Sequence, residues 1–473
     1  MARPKFVQIP SEPLSRFEPL LGDDYGRVLA AAEHAREEFA GRAVWHFSST
    51  MRGGGVAEML RAQLPYVRGA GIDTRWVVLR EPAAFFELTK RLHNNLHGAP
   101  GDGGPLGPAE RQLYSGSLAE SSRHFARLLR RGDVVFLHDP QTAGLVGAAK
   151  AAGTEVIWRC HIGCDEPNQL ALAAQRFLEP WVAEADFWVF SRDAYAWEGL
   201  DPERVWTMAP SIDPFAAKNE ELPPDAVKAI VAAIGLGVDG LGRAPGFVRA
   251  DGTPGRIERA AEVLHESLLP PNATLVAQIS RWDRLKDHRG LLECFERHLA
   301  DTDLHLLLAG PASAAVADDP EGGGVWAELC ITWHQLPDAA RRRVHLASLP
   351  MEDLDENAVI VNALQRRADV VVQKSLAEGF GLTVAEAMWK RRPVVGARVG
   401  GIQDQIVDGE SGWLVAPRDL EAVAAAIRAA TSNPAEARRR GERGRQRVRE
   451  RFLDSIRLAE YAELVSAARA PAR

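Results

Sequence analysis

Short, nearly unbroken apolar runs recur along the chain, each followed by a longer stretch of helical period. This alternation constrains the fold more than any other feature of the sequence. In the first half the runs cover residues 42–47, 74–79, 133–137, 155–159 and 187–190, with 204–208 a weaker sixth. They restart at 273–280 and continue through 304–309, 344–347, 369–373 and 393–397, with 413–415 as an edge. Strands that are apolar on both faces belong in parallel sheets covered by helices, and strand–helix alternation builds such sheets from βαβ units. The expected fold is therefore α/β, with two doubly wound, Rossmann-like domains facing each other across a cleft. The first spans 1–213 and the second 214–453, and a C-terminal helix over about 454–473 packs back on the first. The segment from Ala209 to Phe215, with Pro210 and Pro214, reads as the hinge. Residues 99–108 and 235–255, rich in Gly and broken by Pro, read as surface loops.

Composition removes several function classes. With 473 residues, 46% hydrophobic and 26% charged, the chain has ordinary globular composition. Lys plus Arg is 57 against 64 for Asp plus Glu, a net charge of −7, so no body-wide basic field exists to hold nucleic acid. An anionic substrate must be met by a local group of cations. Only eight of the 57 cations are lysines, which leaves 49 arginines and makes any single Arg a weak signal. The run 438–451 holds eight arginines and reads as a solvated helix rather than an anion-binding patch. Four cysteines (Cys160, Cys164, Cys294 and Cys330) are too few for a disulfide framework in a chain this long. With no signal-like N-terminus and no apolar run near the ~18 residues of a spanning helix, the expected location is the cytoplasm.

Four segments could carry chemistry, and each follows a predicted strand. In the first, Gly53, Gly54 and Gly55 open a helix whose Val56, Met59, Leu60, Leu64 and Val67 share one face. Pro65 is expected to bend that helix. Three glycines let backbone approach a ligand, and amides at a helix start favour negative charge. In the second, Arg281 and Lys286 follow the first strand of the second domain, where ligands sit in a doubly wound sheet. Arg offers a planar fork and Lys a compact charge to a diphosphate. The third carries Glu378 and Glu386 around Gly379, Phe380, Gly381 and Leu382. Its carboxylates can accept hydrogen bonds from hydroxyls while its amides face an anion. The fourth, Arg159-Cys-His161-Ile-Gly-Cys164-Asp165, places a histidine between two cysteines. With no second cysteine pair nearby it is not a zinc site. Two Asp-x-Asp pairs, Asp301/Asp303 and Asp353/Asp355, read as surface turns or caps.

Together these segments resemble the retaining glycosyltransferases of the GT-B fold. Five stretches make the chain most similar to the branch of trehalose glycosyltransferring synthases and trehalose phosphorylases. They are Trp45-His-Phe-Ser-Ser-Thr-Met-Arg-Gly-Gly-Gly-Val-Ala-Glu58, Phe86-Glu-Leu-Thr-Lys-Arg-Leu-His-Asn94, Leu137-His-Asp139-Pro-Gln141, Trp158-Arg-Cys-His161 and Pro210-Ser-Ile-Asp-Pro214. The resemblance runs from about residue 42 to about 415. It implies that Gly53, Gly54 and Gly55 approach the donor phosphates and the reacting sugar, and that Arg281 and Lys286 neutralise the diphosphate leaving group. Glu378, with Gly379, Phe380, Gly381 and Leu382, is implied to position the donor sugar and its phosphate, and Glu386 to bind the nucleotide ribose. His161 is implied to contact the transferred sugar, and Asp139 and Asn94 to hold the acceptor. Cys164 and Asp165 depart from the polar residues expected after His161.

The implied reaction moves glucose reversibly from a nucleoside-diphosphate glucose to glucose, forming trehalose. No nucleophilic carboxylate stands opposite the site as in double-displacement glycosidases, so a front-face displacement is expected, in which the leaving phosphate takes the acceptor's proton. No protein-bound metal or other cofactor is expected, the nucleotide sugar being a substrate, although Mg²⁺ can accompany it. Assembly as a homodimer is compatible with this reading. The competing readings are a trehalose phosphorylase using inorganic phosphate, a retaining glycosyltransferase acting on another sugar or on a lipid acceptor, the latter with a surface helix around residues 89–97, and a non-catalytic sugar-binding or scaffolding protein.

Overall fold

The computed structural model describes residues 5–51, 54–238, 245–249, 251–312 and 321–469. The chain divides into two compact units, Met1–Ile212 with Phe452–Arg473, and Asp213–Arg451.

The first unit is built on a seven-stranded sheet, with β1 Lys5–Val7, β2 Val44–Ser48, β3 Thr74–Val78, β4 Val134–His138, β5 Glu155–Cys160, β6 Phe187–Phe190 and β7 Val205–Thr207. Its order is β1-β3-β2-β4-β5-β6-β7, with only β1 antiparallel to its neighbour. The strands β2, β4 and β6 are buried at every position, as helices on both faces require. From β2 the chain turns one way to β3 and then crosses back to β4, which makes the gap between β2 and β4 the topological switch point. The helix Asp454–Arg469 completes this unit by packing on the helix Tyr25–Glu38. It is anchored where Ile212 N donates to Phe452 O at 2.8 Å and Ser211 Oγ donates to Asp454 Oδ1 at 2.5 Å.

The second unit repeats the plan. A small hairpin, β8 Gly246–Val248 and β9 Pro254–Arg256, precedes β10 Glu262–Leu264, β11 Leu275–Ile279, β12 His305–Pro311, β13 Val344–Leu349, β14 Val370–Gln373, β15 Val394–Ala397 and β16 Trp413–Val415. The sheet order is β10-β13-β12-β11-β14-β15-β16, with β10 alone antiparallel. Here the switch point lies between β11 and β14.

The predicted parallel strands appear within two residues of their expected bounds. The antiparallel edges β1 and β10 and the hairpin β8–β9 are additions, the last inside a segment read as loop. Pro65 sits within an unbroken helix, Gly55–Gly69, and its carbonyl accepts from Glu12 N at 3.0 Å. The arginine-rich run forms the helix Pro434–Arg451, whose small residues Ala437, Gly441 and Gly444 and the apolar Val448 are buried. A Cβ on Gly441 would collide with the backbone carbonyl of Arg391, so glycine there lets this helix lie against the turn that follows the helix Leu382–Trp389. Several of its arginines bind their own unit: Arg440 stacks over Trp413 at 4.1 Å, and Arg447 donates to Gln405 O at 2.7 Å. No helix among the described residues is long and apolar enough to cross a membrane.

Candidate active site

In the second unit the ends of β11 and β14 meet at the switch point, where a doubly wound sheet binds ligands. One buried side chain ties the two following turns together. Gln278 Nε2 donates to Lys286 O at 2.8 Å, and Gln278 Oε1 accepts from Lys374 N at 3.1 Å. Leu376 N donates to Leu285 O at 2.7 Å. On this frame Lys286 Nζ reaches Glu378 Oε2 at 2.6 Å, with Ser375 Oγ donating to the same oxygen at 3.1 Å. Lys374 pairs with Asp287, a residue at φ 52° that also caps the helix His288–His298 through Gly290 N at 3.1 Å. Arg281, from the same turn as Lys286, stands 3.7 Å from Asp283. The structure thus joins Lys286 to Glu378, residues 92 positions apart, gives Asp287 a partner in Lys374, and adds Lys374 and Gln278, which sequence reasoning missed.

The segment after Glu378 is oriented from behind. Gly401 N donates to Gly379 O at 3.1 Å, and Gln405 Nε2 donates to Phe380 O at 2.6 Å. In a trans peptide the carbonyl and the following N–H point in opposite directions. These two bonds therefore turn the N–H groups of Phe380 and Gly381 away from Gly401 and Gln405. Gly381, at φ 86°, caps the helix Leu382–Trp389. Its Leu382 amide is the first at the positive end of the helix dipole.

Four residues farther along that helix, Glu386 is buried with its carboxylate 3.5 Å from Lys218 Nζ. Lys390 Nζ donates to Asn219 Oδ1 at 2.9 Å and to Glu386 O at 3.2 Å, and burial pulls its ammonium down to about 7. The Lys218, Asn219 and Lys390 surroundings of Glu386 had no sequence signal beyond being polar.

In the first unit the corresponding groups lie at the carboxyl ends of β2, β4 and β5. Gly54 caps the helix Gly55–Gly69 in extended conformation, while Gly53 lies outside the described residues. Asp139, immediately after β4, has φ 64° and accepts a hydrogen bond from His161 N at 2.7 Å. Burial pushes its carboxyl up to about 7, against the opposing effects of that hydrogen bond and Arg159. His161 Nε2 lies 3.2 Å from His138 Nδ1, and His138 Nε2 lies 3.2 Å from His46 Nδ1. Burial, followed by neighbouring charge including Arg159, drives all three imidazoles below their usual range, so they are neutral. Arg159 is itself fully buried, bound to Tyr461 Oη and, at 3.3 Å, to Met208 O. Asn94 lies in the helix Ala83–Leu96, and its Oδ1 is buried with no partner among the described residues.

Cys160 and Cys164 donate to Ile162 O at 3.3 Å and Glu166 O at 3.6 Å, and burial pushes both thiols up. Asp353 caps the helix Leu354–Arg367 and pairs with Arg249, and Asp301 pairs with Arg428 at 2.5 Å. Among the described residues no group of three or more His, Cys, Asp or Glu side chains could hold a metal ion.

The chain is similar to known proteins over most of its length. Residues 46–197 match the family model described as trehalose synthase, N-terminal domain, and residues 261–447 match that of glycosyl transferases group 1. The trehalose synthase of Rubrobacter xylanophilus is 33% identical over 456 residues, covering 93% of this chain and 96% of the relative. That of Pyrococcus horikoshii is 31% identical over 450 residues, covering 94% and 95%. The trehalose phosphorylase of Pleurotus sajor-caju is 26% identical over 436 residues, covering 85% of this chain but 54% of the relative. Among solved structures, the trehalose-6-phosphate synthase OtsA superposes with a TM-score of 0.67 at 14% identity, covering 91% of this chain and all of that one. The UDP-forming α,α-trehalose-phosphate synthase of Burkholderia xenovorans superposes with a TM-score of 0.66 at 16% identity, covering 90% of this chain and all of that one. These likenesses give the fold its name, GT-B. The chain is a glycosyltransferase and belongs to the trehalose synthase family.

Proposed function

We propose that this enzyme transfers glucose, with retention and reversibly, from a nucleoside-diphosphate glucose to free glucose, forming α,α-trehalose. The observation that carries the reading is the Lys286–Glu378 pair at 2.6 Å, set on the hydrogen-bonded frame at the β11/β14 switch point. The bond to be broken leaves negative charge on a phosphate, and fixed cations and amides aimed at that charge lower the barrier. Lys286 and Arg281 supply the cations. Phe380, Gly381 and Leu382 supply amides, the first two with a direction set beforehand by the Gly401 and Gln405 bonds and the third at the start of its helix. Glu378 orients Lys286 and accepts from a sugar hydroxyl, and Glu386 accepts from the ribose.

In the first unit, His161 contacts the transferred glucose, Asp139 and Asn94 take hydroxyls of the acceptor, and Gly54 and Gly55 admit the donor closely, with Gly53 assigned with them. The departing phosphate removes the acceptor's proton on the face it leaves, which preserves the anomeric configuration. No protein-bound metal enters this scheme. The synthase relatives are covered at 95% and 96% of their length and the phosphorylase at 54%, which favours a nucleotide donor over inorganic phosphate. Incubation with UDP-, ADP- and GDP-glucose plus [¹³C]glucose, followed by NMR, tests the reading. Labelled α,α-trehalose is expected. Turnover confined to glucose 1-phosphate would make the enzyme a phosphorylase.

A further inference from the structure

Three histidines, in or just after three neighbouring strands of the first sheet, form a line rather than a cluster. His46 is inside β2, His138 ends β4, and His161 follows β5. Each successive pair of rings is joined at 3.2 Å between nitrogens, with ring centroids 5.5 Å apart and planes 23° and 14° from parallel. The inner end is enclosed by Phe136, stacked on His46 at 4.8 Å, and by Tyr461, edge-on to it at 6.3 Å. Burial above all, and then neighbouring charge that includes the Arg159 guanidinium held by Tyr461, disfavours protonating any of the three rings. At the outer end, the backbone N–H of His161 donates to Asp139 Oδ1 at 2.7 Å.

A neutral imidazole has one N–H and one lone pair. His138 uses both ring nitrogens in the line, so it must donate to one neighbour and accept from the other. The two hydrogen bonds therefore run in the same sense, and the tautomers of all three rings are coupled. His161 cannot change tautomer alone without setting two donors or two acceptors against each other in a buried site, where a lost hydrogen bond is costly. Because Nε2 of His161 is engaged by His138, Nδ1 is the ring nitrogen left to meet a ligand. A sugar hydroxyl can either donate or accept. A ring nitrogen fixed as one or the other decides which way that hydroxyl's proton points.

We propose that His46 and His138 are positioning residues that lock His161 in a single tautomer and so orient a hydroxyl of the transferred sugar. This inference rests on the assignment of His161 to the sugar made above. Packing alone makes the opposite prediction from the lock: if the line only filled space, an aromatic ring would replace a histidine better than an amide would.

The experiment compares His138→Gln, which can donate and accept, with His138→Phe, which keeps ring volume and loses both bonds, and repeats the comparison at His46. The lock predicts that His138→Phe lowers kcat by about 10-fold, the worth of one positioning hydrogen bond. The donor KM should be little changed, and His138→Gln should recover most of the loss. Nitrogen-15 NMR of histidine-labelled full-length protein without substrate, with His161 assigned by a His161→Asn variant, should show one tautomer at His161. In His138→Phe it should show two tautomers exchanging. Equal or better turnover in His138→Phe than in His138→Gln, or mixed tautomers at His161 in the unaltered protein, would overturn the proposal. His161→Ala decides the underlying assignment separately. Wild-type turnover in that variant removes the sugar contact, and with it the purpose of the lock, even if the NMR shows a single tautomer.

Discussion

Replacing Lys286 with Met tests the donor end of the site through two quantities that should respond differently. The ammonium lies 2.6 Å from Glu378, and the two side chains are 14% and 10% exposed, so the pair is largely shielded from solvent. Removing one member of a fully buried pair costs about 3–5 kcal/mol, because a charge is left uncompensated. Here Ser375 Oγ still donates to Glu378 at 3.1 Å, which reduces the expected loss to about 1–3 kcal/mol. The Lys286→Met/Glu378→Gln double variant should lose less stability than the two single variants added together, since neither leaves the other's charge stranded. Turnover should fall much further than stability implies. Loss of one donor to a developing anion costs ~10²–10³ in kcat, or about 3–4 kcal/mol of barrier. Urea unfolding at 25 °C and initial rates of nucleotide release, measured well below the melting temperature of each variant, separate the two effects. A folded Lys286→Met enzyme with kcat within about threefold of wild type, far short of the loss expected for an anion-stabilising donor, would show that this lysine does not neutralise the leaving group.

Three further substitutions probe other parts of the account. Asp139 has a folded-state value of about 7, above the ordinary carboxylate range. Between about pH 4 and 7 the folded protein therefore holds a proton that the unfolded chain has released, and stability falls as pH rises, by up to about 1.4 kcal/mol per unit. Asp139→Asn keeps an oxygen for His161 N and tolerates the positive φ, so it should melt at a higher temperature than wild type at pH 8 while transferring glucose more slowly; a lower melting temperature there contradicts the burial argument. Gly381→Ala forces a side chain into φ 86°, with its Cβ 3.2 Å from both Glu378 and Ile402. It should cost about 1–2 kcal/mol and also reduce kcat by displacing Glu378, so an unchanged rate in a destabilised protein would argue against that coupling. Glu386→Gln should raise the donor KM by about 10-fold, one charge-assisted hydrogen bond, while leaving kcat nearly intact; a loss confined to kcat would move Glu386 from the ribose to the reacting sugar.

Both sheets could be read in the sequence because parallel strands covered on two faces must be apolar throughout, as Val134–His138 and Val370–Gln373 nearly are. The short edge strands Lys5–Val7 and Glu262–Leu264 each open on an exposed charged residue and bury little, so no apolar run marks them. Lys286, Glu378 and Glu386 were legible because their spacing to glycines and strand ends is local. The partners that hold them were not. Lys390 reaches Asn219 across 171 residues, and Gln278 reaches Lys374 across 96, so only the topology brings them together. The histidine line was hidden for the same reason. His46 and His138 stand in motifs visible by themselves, yet within a buried strand each reads as an interruption until the β2–β4 pairing, with His46 opposite Phe136, brings the two rings within reach of each other.

Under the proposed function, a nucleoside diphosphate lodges at the β11/β14 switch point with its phosphates against Lys286, Arg281 and the amides beginning the helix Leu382–Trp389. A crystal structure of the enzyme with a bound nucleoside diphosphate and glucose tests it most directly. Phosphate oxygens should lie within hydrogen-bond reach of Lys286 Nζ and the Leu382 amide, with the ribose hydroxyls on Glu386. Phosphates bound at any other strand end, with Lys286 still paired only to Glu378, would contradict it.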